Sequence, residues 1–95
     1  MKFEDHCRES IILFGKDYAA VHLWLDEFAG KPGIGMRHRK FRHHAKGLME
    51  VSRIFGPDAV KAAYRHIVSD LMMEGWKETD PFPKDEIDFV KLGLF

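Results

Sequence analysis

A chain of 95 residues, 45% hydrophobic and 13% aromatic, holds enough apolar material for one core, which excludes intrinsic disorder and a two-domain organisation. The formal net charge is zero at neutral pH, so the chain as a whole is not a polyanion binder. The single cysteine, Cys7, excludes an internal disulfide and a cysteine-rich zinc site, and its apolar neighbours at helical spacing make it a small core residue.

Apolar residues recur at helical spacing between breaks made by glycine and proline. The first predicted helix runs from about Phe3 to Phe14, with Phe3, Cys7, Ile11 and Phe14 on its inner face. Gly15 ends it. The second runs from about Lys16 to Ala29, with Tyr18, Val21, Trp24, Leu25 and Phe28 inward. Gly30-Lys31-Pro32-Gly33-Ile34-Gly35 is a loop. It is neither a dinucleotide fingerprint nor a phosphate-binding P-loop, because the glycine order is wrong and no strand precedes it. The third helix spans about Met36 to Phe55, with Phe41, Ala45, Leu48, Met49, Ser52 and Phe55 as its stripe. Gly56-Pro57-Asp58 breaks the chain sharply. The fourth helix spans about Asp58 to Met73, with Val60, Ala63, Tyr64, Ile67 and Leu71 inward. After Asp80-Pro81-Phe82-Pro83 a short fifth helix uses Ile87, Phe89, Val90 and Leu92. No segment alternates as a strand would. The expectation is an all-α fold: one helical domain over residues 1–95, a compact bundle of four main helices with a short C-terminal helical appendage.

No apolar run is long enough to span a membrane, and the polar, acidic start from Met1 to His6 is unlike a signal peptide, so the expected compartment is the cytoplasm. Charge is unevenly placed. Lys31, Arg37, Arg39, Lys40, Arg42 and Lys46 stand together without an acid, whereas seven acids lie between Asp70 and Asp88. The two regions could pair within the fold or across a homo-oligomer, or the basic one could meet an anion.

The six histidines carry the functional signal. His22 and Asp26 are four apart on the second helix, and His66 and Asp70 are four apart on the fourth, each pair at a flank of its apolar stripe. Residues four apart share one face of a helix, so each Asp can orient its His or join it on one metal ion. On the third helix His38 and His44 fall at opposite flanks of the stripe and His43 points to solvent. The expected metal ligands or orienting partners are therefore His22, Asp26, His38, His44, His66 and Asp70, for Zn, Mn, Fe or Ni. Arg37, Arg39 and Arg42 are the expected anion contacts, helped by backbone amides at the start of the third helix. His6 has no assigned role. H-E-x-x-H and an adjacent His-Asp dipeptide are both absent, which leaves a zinc protease or a helical metal phosphohydrolase without its usual mark.

His22-x-Trp24-x-Asp26, Arg37-His38-Arg39-x-x-Arg42-His43-His44, Phe55-Gly56 and His66-x-x-x-Asp70-Leu71 together resemble a family of short bacterial and phage proteins catalogued as a domain of unknown function. The likeness covers about the central two thirds of the chain. The segment from Met72 onward departs from the pattern. The resemblance implies no activity, only that these histidines and arginines belong together.

The leading functional expectation is binding of a metal or of a phosphate-containing small ligand through the His/Asp/Arg set, with metal-assisted hydrolysis of a phosphate ester as the reaction if the protein is an enzyme. One alternative is a phage or mobile-element accessory protein that contacts a host protein through an apolar patch around Trp76, Phe82, Phe89 and Phe95. The other is nucleic-acid binding through the basic helix 37–46.

Overall fold

The computed structural model describes residues 1–94. Its elements are α1 (Phe3–Phe14), α2 (Ala19–Leu25), α3 (Arg39–Arg42), α4 (Ala45–Phe55), a 3-10 turn (Pro57–Ala59) leading into α5 (Val60–Met73), and α6 (Glu86–Lys91). The chain is helical, with no strand among the described residues, and four of the six helices have seven residues or more. Gly15 ends α1 in the left-handed region (φ 80°), where its N–H donates to the Ile11 carbonyl. Pro57 opens the 3-10 turn, a position that needs no backbone donor.

Helix α5 is the centre of the fold and packs against α1, α2 and α4. It is buried from Ala62 to Leu71 except at Tyr64 and Arg65, so both of its inner faces have partners. Ala63, Ile67 and Leu71 join Val21, Leu25, Val51, Ala59, Trp76 and Phe89 in the apolar core. Rotated by about 100° per residue from that face, His66 and Asp70 look into a second, polar centre.

The structure corrects several expectations. The third helix is not continuous. Residues 36–38 are turn, α3 has four residues, and the backbone breaks at His43 and His44 before α4 begins. Gly47 belongs to this break: a Cβ there would overlap the Arg42 carbonyl, so only glycine lets the two backbones approach. The first amides of α4 are occupied, because Ala45 N–H donates to Pro83 and Lys46 N–H to Lys84. The glycine loop closes on itself through Gly30 N–H to the Gly35 carbonyl.

The inner face of α1 is also different. His6 and Ser10 are buried, while Ile11 and Phe3 are exposed and Cys7 is half-buried, because α1 lies over the polar centre instead of the apolar one. Met49 and Tyr64 are exposed, as are Ile87 and Val90. Trp76 and Phe89 are buried and Phe82 packs against the core, so these residues do not form an exposed patch. Trp76 instead donates Nε1–H to the Pro81 carbonyl at 3.0 Å and locks the turn after α5. Phe95, named with that patch, lies outside the described residues.

Candidate metal centre

Five elements converge on the polar centre. α1 supplies His6, α2 supplies His22 with Asp26 at its C-cap, the turn before α3 supplies His38, the break after α3 supplies His43, and α5 supplies His66 and Asp70. All five histidines and Asp70 are buried; Asp26, with 31% of its side chain exposed, forms the edge toward solvent.

The two carboxylates alternate with imidazole Nε2 atoms. His38 Nε2 is 3.0 Å from Asp26 Oδ1, and His43 Nε2 is 3.5 Å from the same oxygen and 3.0 Å from Asp70 Oδ2. His66 Nε2 sits 3.3 Å from both Asp26 Oδ2 and Asp70 Oδ2, and His6 Nε2 is 3.5 Å from Asp70 Oδ1. Ligands about 2.1 Å from an ion stand about 3.0 Å apart in an octahedron and about 3.4 Å apart in a tetrahedron, so these hydrogen-bond separations are also compatible with atoms sharing an ion. Two groups of ligand atoms are compact enough for one ion each: His6, Asp26, His66 and Asp70, and Asp26, His38 and His43. His6, His22 and His66 form a third, overlapping group.

His22 has both ring nitrogens engaged, Nε2 with Ser10 Oγ at 2.8 Å and Nδ1 with His66 Nδ1 at 2.9 Å. When His66 is protonated or metal-bound through Nε2, its proton stands on Nδ1 and is donated to His22 Nδ1. His22 Nε2–H then donates to Ser10 Oγ. This chain sets the His66 tautomer from behind. His6 stacks on the His66 ring at a centroid distance of 3.7 Å, which fixes the level at which its Nε2 faces Asp70.

Residues 1–81 match the sequence model of DUF6915, a domain of unknown function. The chain belongs to this family. The match takes in every residue of the polar centre, from His6 to Asp70, and ends before α6. No curated protein and no solved structure matches the chain. Membership in DUF6915 therefore names a family and no activity, and the chemistry must be read from the side chains.

Electrostatics in this DUF6915 chain follow from burial against charge. Burial alone would raise both carboxyls, but hydrogen bonds from His38 and His66 hold Asp26 well below the usual carboxylate range, and those from His43 and His66, with His6 facing it at 3.5 Å, do the same for Asp70. Burial lowers His22 to about 4, assisted by neighbouring His66 and His6. Burial also lowers His43 to about 4, against the opposing pull of Asp70. For His66 the bonds to Asp26 and Asp70 outweigh burial and raise it. The site thus holds two ionised carboxylates beside two imidazoles, His22 and His43, that burial keeps neutral, and a third, His66, whose carboxylate partners favour its charged form.

Several buried polar atoms have no hydrogen-bond partner: both nitrogens of His6, Nδ1 of His38 and of His43, and Oδ1 of Asp70. Buried polar atoms are seldom left this way in a purely structural network. A cation in the cluster would engage His6 Nε2 and Asp70 Oδ1, so the donor set fits a divalent metal.

His22, Asp26, His38, His66 and Asp70 are brought together. His44 is not among them. It caps α4, its Nδ1 accepting from Gly47 N–H at 3.1 Å, and burial lowers its basicity. His43 is buried in the cluster and not solvent-facing: the break after Arg42 ends the helical phase that separated the two residues. Arg39 borders the site, Nε 3.7 Å from Asp70 and an η nitrogen 3.2 Å from Glu74. Arg42 donates to Glu27 and to the Trp24 carbonyl, at 2.6 Å each, and lies over the Trp24 and Phe28 rings. Arg37 is exposed on the turn before α3. His6, Ser10 and His43 are the site residues that helical phasing missed. The polar spacing His6-x-x-x-Ser10 was the available signal, a second i,i+4 stripe beside the apolar one on α1.

Proposed function

We propose that this protein binds a divalent transition metal in the His/Asp centre and uses it on an anionic, phosphate-containing small ligand, with metal-assisted hydrolysis of a phosphate ester as the reaction if it is catalytic. The observation that carries the reading is the alternation of four Nε2 atoms with two carboxylates at 3.0–3.5 Å, five residues of which are buried. His6, His38, His43, His66, Asp26 and Asp70 are the proposed ligands, and His22 with Ser10 positions His66. A mixed nitrogen and carboxylate set suits Zn, Mn, Fe or Ni. Such an ion would polarise a phosphoryl oxygen and acidify a bound water. Arg39, 17% exposed beside Asp70, is placed to contact the phosphate.

Two features favour this over nucleic-acid binding or contact with a host protein. Arg42 is committed to Glu27 and to the Trp24 carbonyl within the fold, and Trp76 and Phe89 are inside it. Among the described residues no helix is long and apolar enough to cross a membrane.

Untagged protein, purified without chelator and analysed for metals, is expected to carry Zn, Mn, Fe or Ni at one or more ions per chain. Adding that metal back to chelator-treated protein is expected to raise its melting temperature. No bound metal together with no thermal shift for any of the four ions would overturn the proposal.

A further inference from the structure

The ligand atoms divide into two groups that have only Asp26 in common. His6, His66 and Asp70 gather on the buried side, toward α1 and α5, and His38 and His43 gather on the side of α3. Asp26 reaches both sides: Oδ1 is 3.0 Å from His38 Nε2, and His66 Nε2 lies 3.3 Å from Oδ2 and 3.4 Å from Oδ1. No group compact enough for one ion contains both His6 and His38. A single ion would therefore leave one end of the cluster, with its buried carboxylate or imidazoles, unused.

Resting on the metal-binding reading above, we infer that the site holds two divalent ions bridged by the Asp26 carboxylate, one on His6, His66, Asp70 and Asp26 and the other on His38, His43 and Asp26. The geometry gives the two positions different work. The first has four protein ligands, three of them buried, the number that closes a tetrahedral site. The second has three, which leaves a coordination position open, and its shared ligand Asp26 is the half-exposed edge of the cluster. Substrate and a metal-bound water would enter at the second ion. Paired ions bridged by a carboxylate stand about 3.5–4 Å apart, the span that clamps the attacking and leaving oxygens of a phosphoryl group. Two divalent ions would also outweigh the two carboxylates in charge, which favours an anionic substrate. Arg39, 17% exposed beside Asp70, adds to that preference.

The test is metal stoichiometry together with magnetic coupling in untagged, chelator-treated protein reloaded with Mn(II). The expected result is two ions per chain with the broadened, exchange-coupled resonance of a pair. His38→Ala is expected to retain one ion and show an isolated six-line signal, with circular dichroism confirming its helical content. One ion per chain in the native protein, with an uncoupled signal, would overturn the two-ion inference and leave the metal-binding reading standing. No ion of any kind would overturn both. The native protein's coupling does not depend on any variant folding.

Discussion

The two centres of this small fold share one helix and have opposite chemistry. On one face of α5, Ala63, Ile67 and Leu71 pack among Val21, Leu25, Val51, Trp76 and Phe89, and the single side-chain donor among them, the Trp76 indole, is bonded to the Pro81 carbonyl. On the other face, His66 and Asp70 meet His6, His22, Asp26, His38 and His43, and several polar atoms lack a hydrogen-bond partner. A chain of 95 residues has little interior to spare, and burying polar groups without full pairing costs stability. The apolar centre makes the fold. The polar centre is carried by it, and a cation there would engage two of its unpartnered atoms, His6 Nε2 and Asp70 Oδ1.

This contrast can be broken at either centre. The largest effect is expected from Asp70→Ala, which leaves His6, His43 and His66 buried without their shared carboxylate. Unfolding by denaturant should show a loss of about 3–5 kcal/mol, the usual cost of orphaning a buried charge partner, and the ion held by His6, His66 and Asp70 should be lost with it. Ile67→Ala, one residue along the turn from His66, should cost about 3 kcal/mol by leaving a cavity in the apolar core, yet metal stoichiometry should stay at the native value. If Ile67→Ala also emptied the metal centre, the two faces of α5 would not be separable.

Acidification should act chiefly on the polar centre, with His44 at the start of α4 the other buried histidine whose basicity is lowered. In metal-free protein His22 and His43 stay neutral down to about pH 4, while in the unfolded chain they take up protons near 6.5. Between those values the unfolded state binds more protons, so stability falls as pH falls. His66 opposes this: its contribution is complete below its unfolded value and fades as pH rises through its raised folded one. Asp26 and Asp70, both depressed, contribute fully above the ordinary carboxylate value and lose that only at lower pH. The net expectation from pH 7 to 5 is a loss of about 2 kcal/mol. A melting temperature flat across that range would mean that the cluster is already protonated at neutrality.

The smallest effect is expected from His44→Ala. It removes the side-chain cap of α4, at a cost of about 1 kcal/mol, and should leave the metal count unchanged. Its neighbour tests the contrast most sharply, because His43→Ala should reduce the number of bound ions. Equal metal loss in both variants would place His44 at the site after all.

Much of this was legible in the residues. Helical spacing set the class of the fold, glycine and proline marked most element ends, and the two His-x-x-x-Asp pairs identified Asp26 and Asp70, the carboxylates on which the cluster is built. Such pairs need only one turn of one helix, so local periodicity suffices to find them. His6 and His43 were not legible because their placement depends on partners far along the chain. His6 turns inward because α1 covers polar neighbours, so its apolar stripe is the wrong guide to its buried face. His43 and His44 exchanged their expected places because phase was carried through a helix that is broken between them. Gly47 was the clue to that break, a glycine inside an otherwise helical pattern whose reason, the close approach of Arg42, lies in the packing. The sequence by itself determined the helices and which residue types could serve a metal. Tertiary structure decided which of them meet, because convergence on one point requires the relative positions of five segments, and those are set by the core and not by any local pattern.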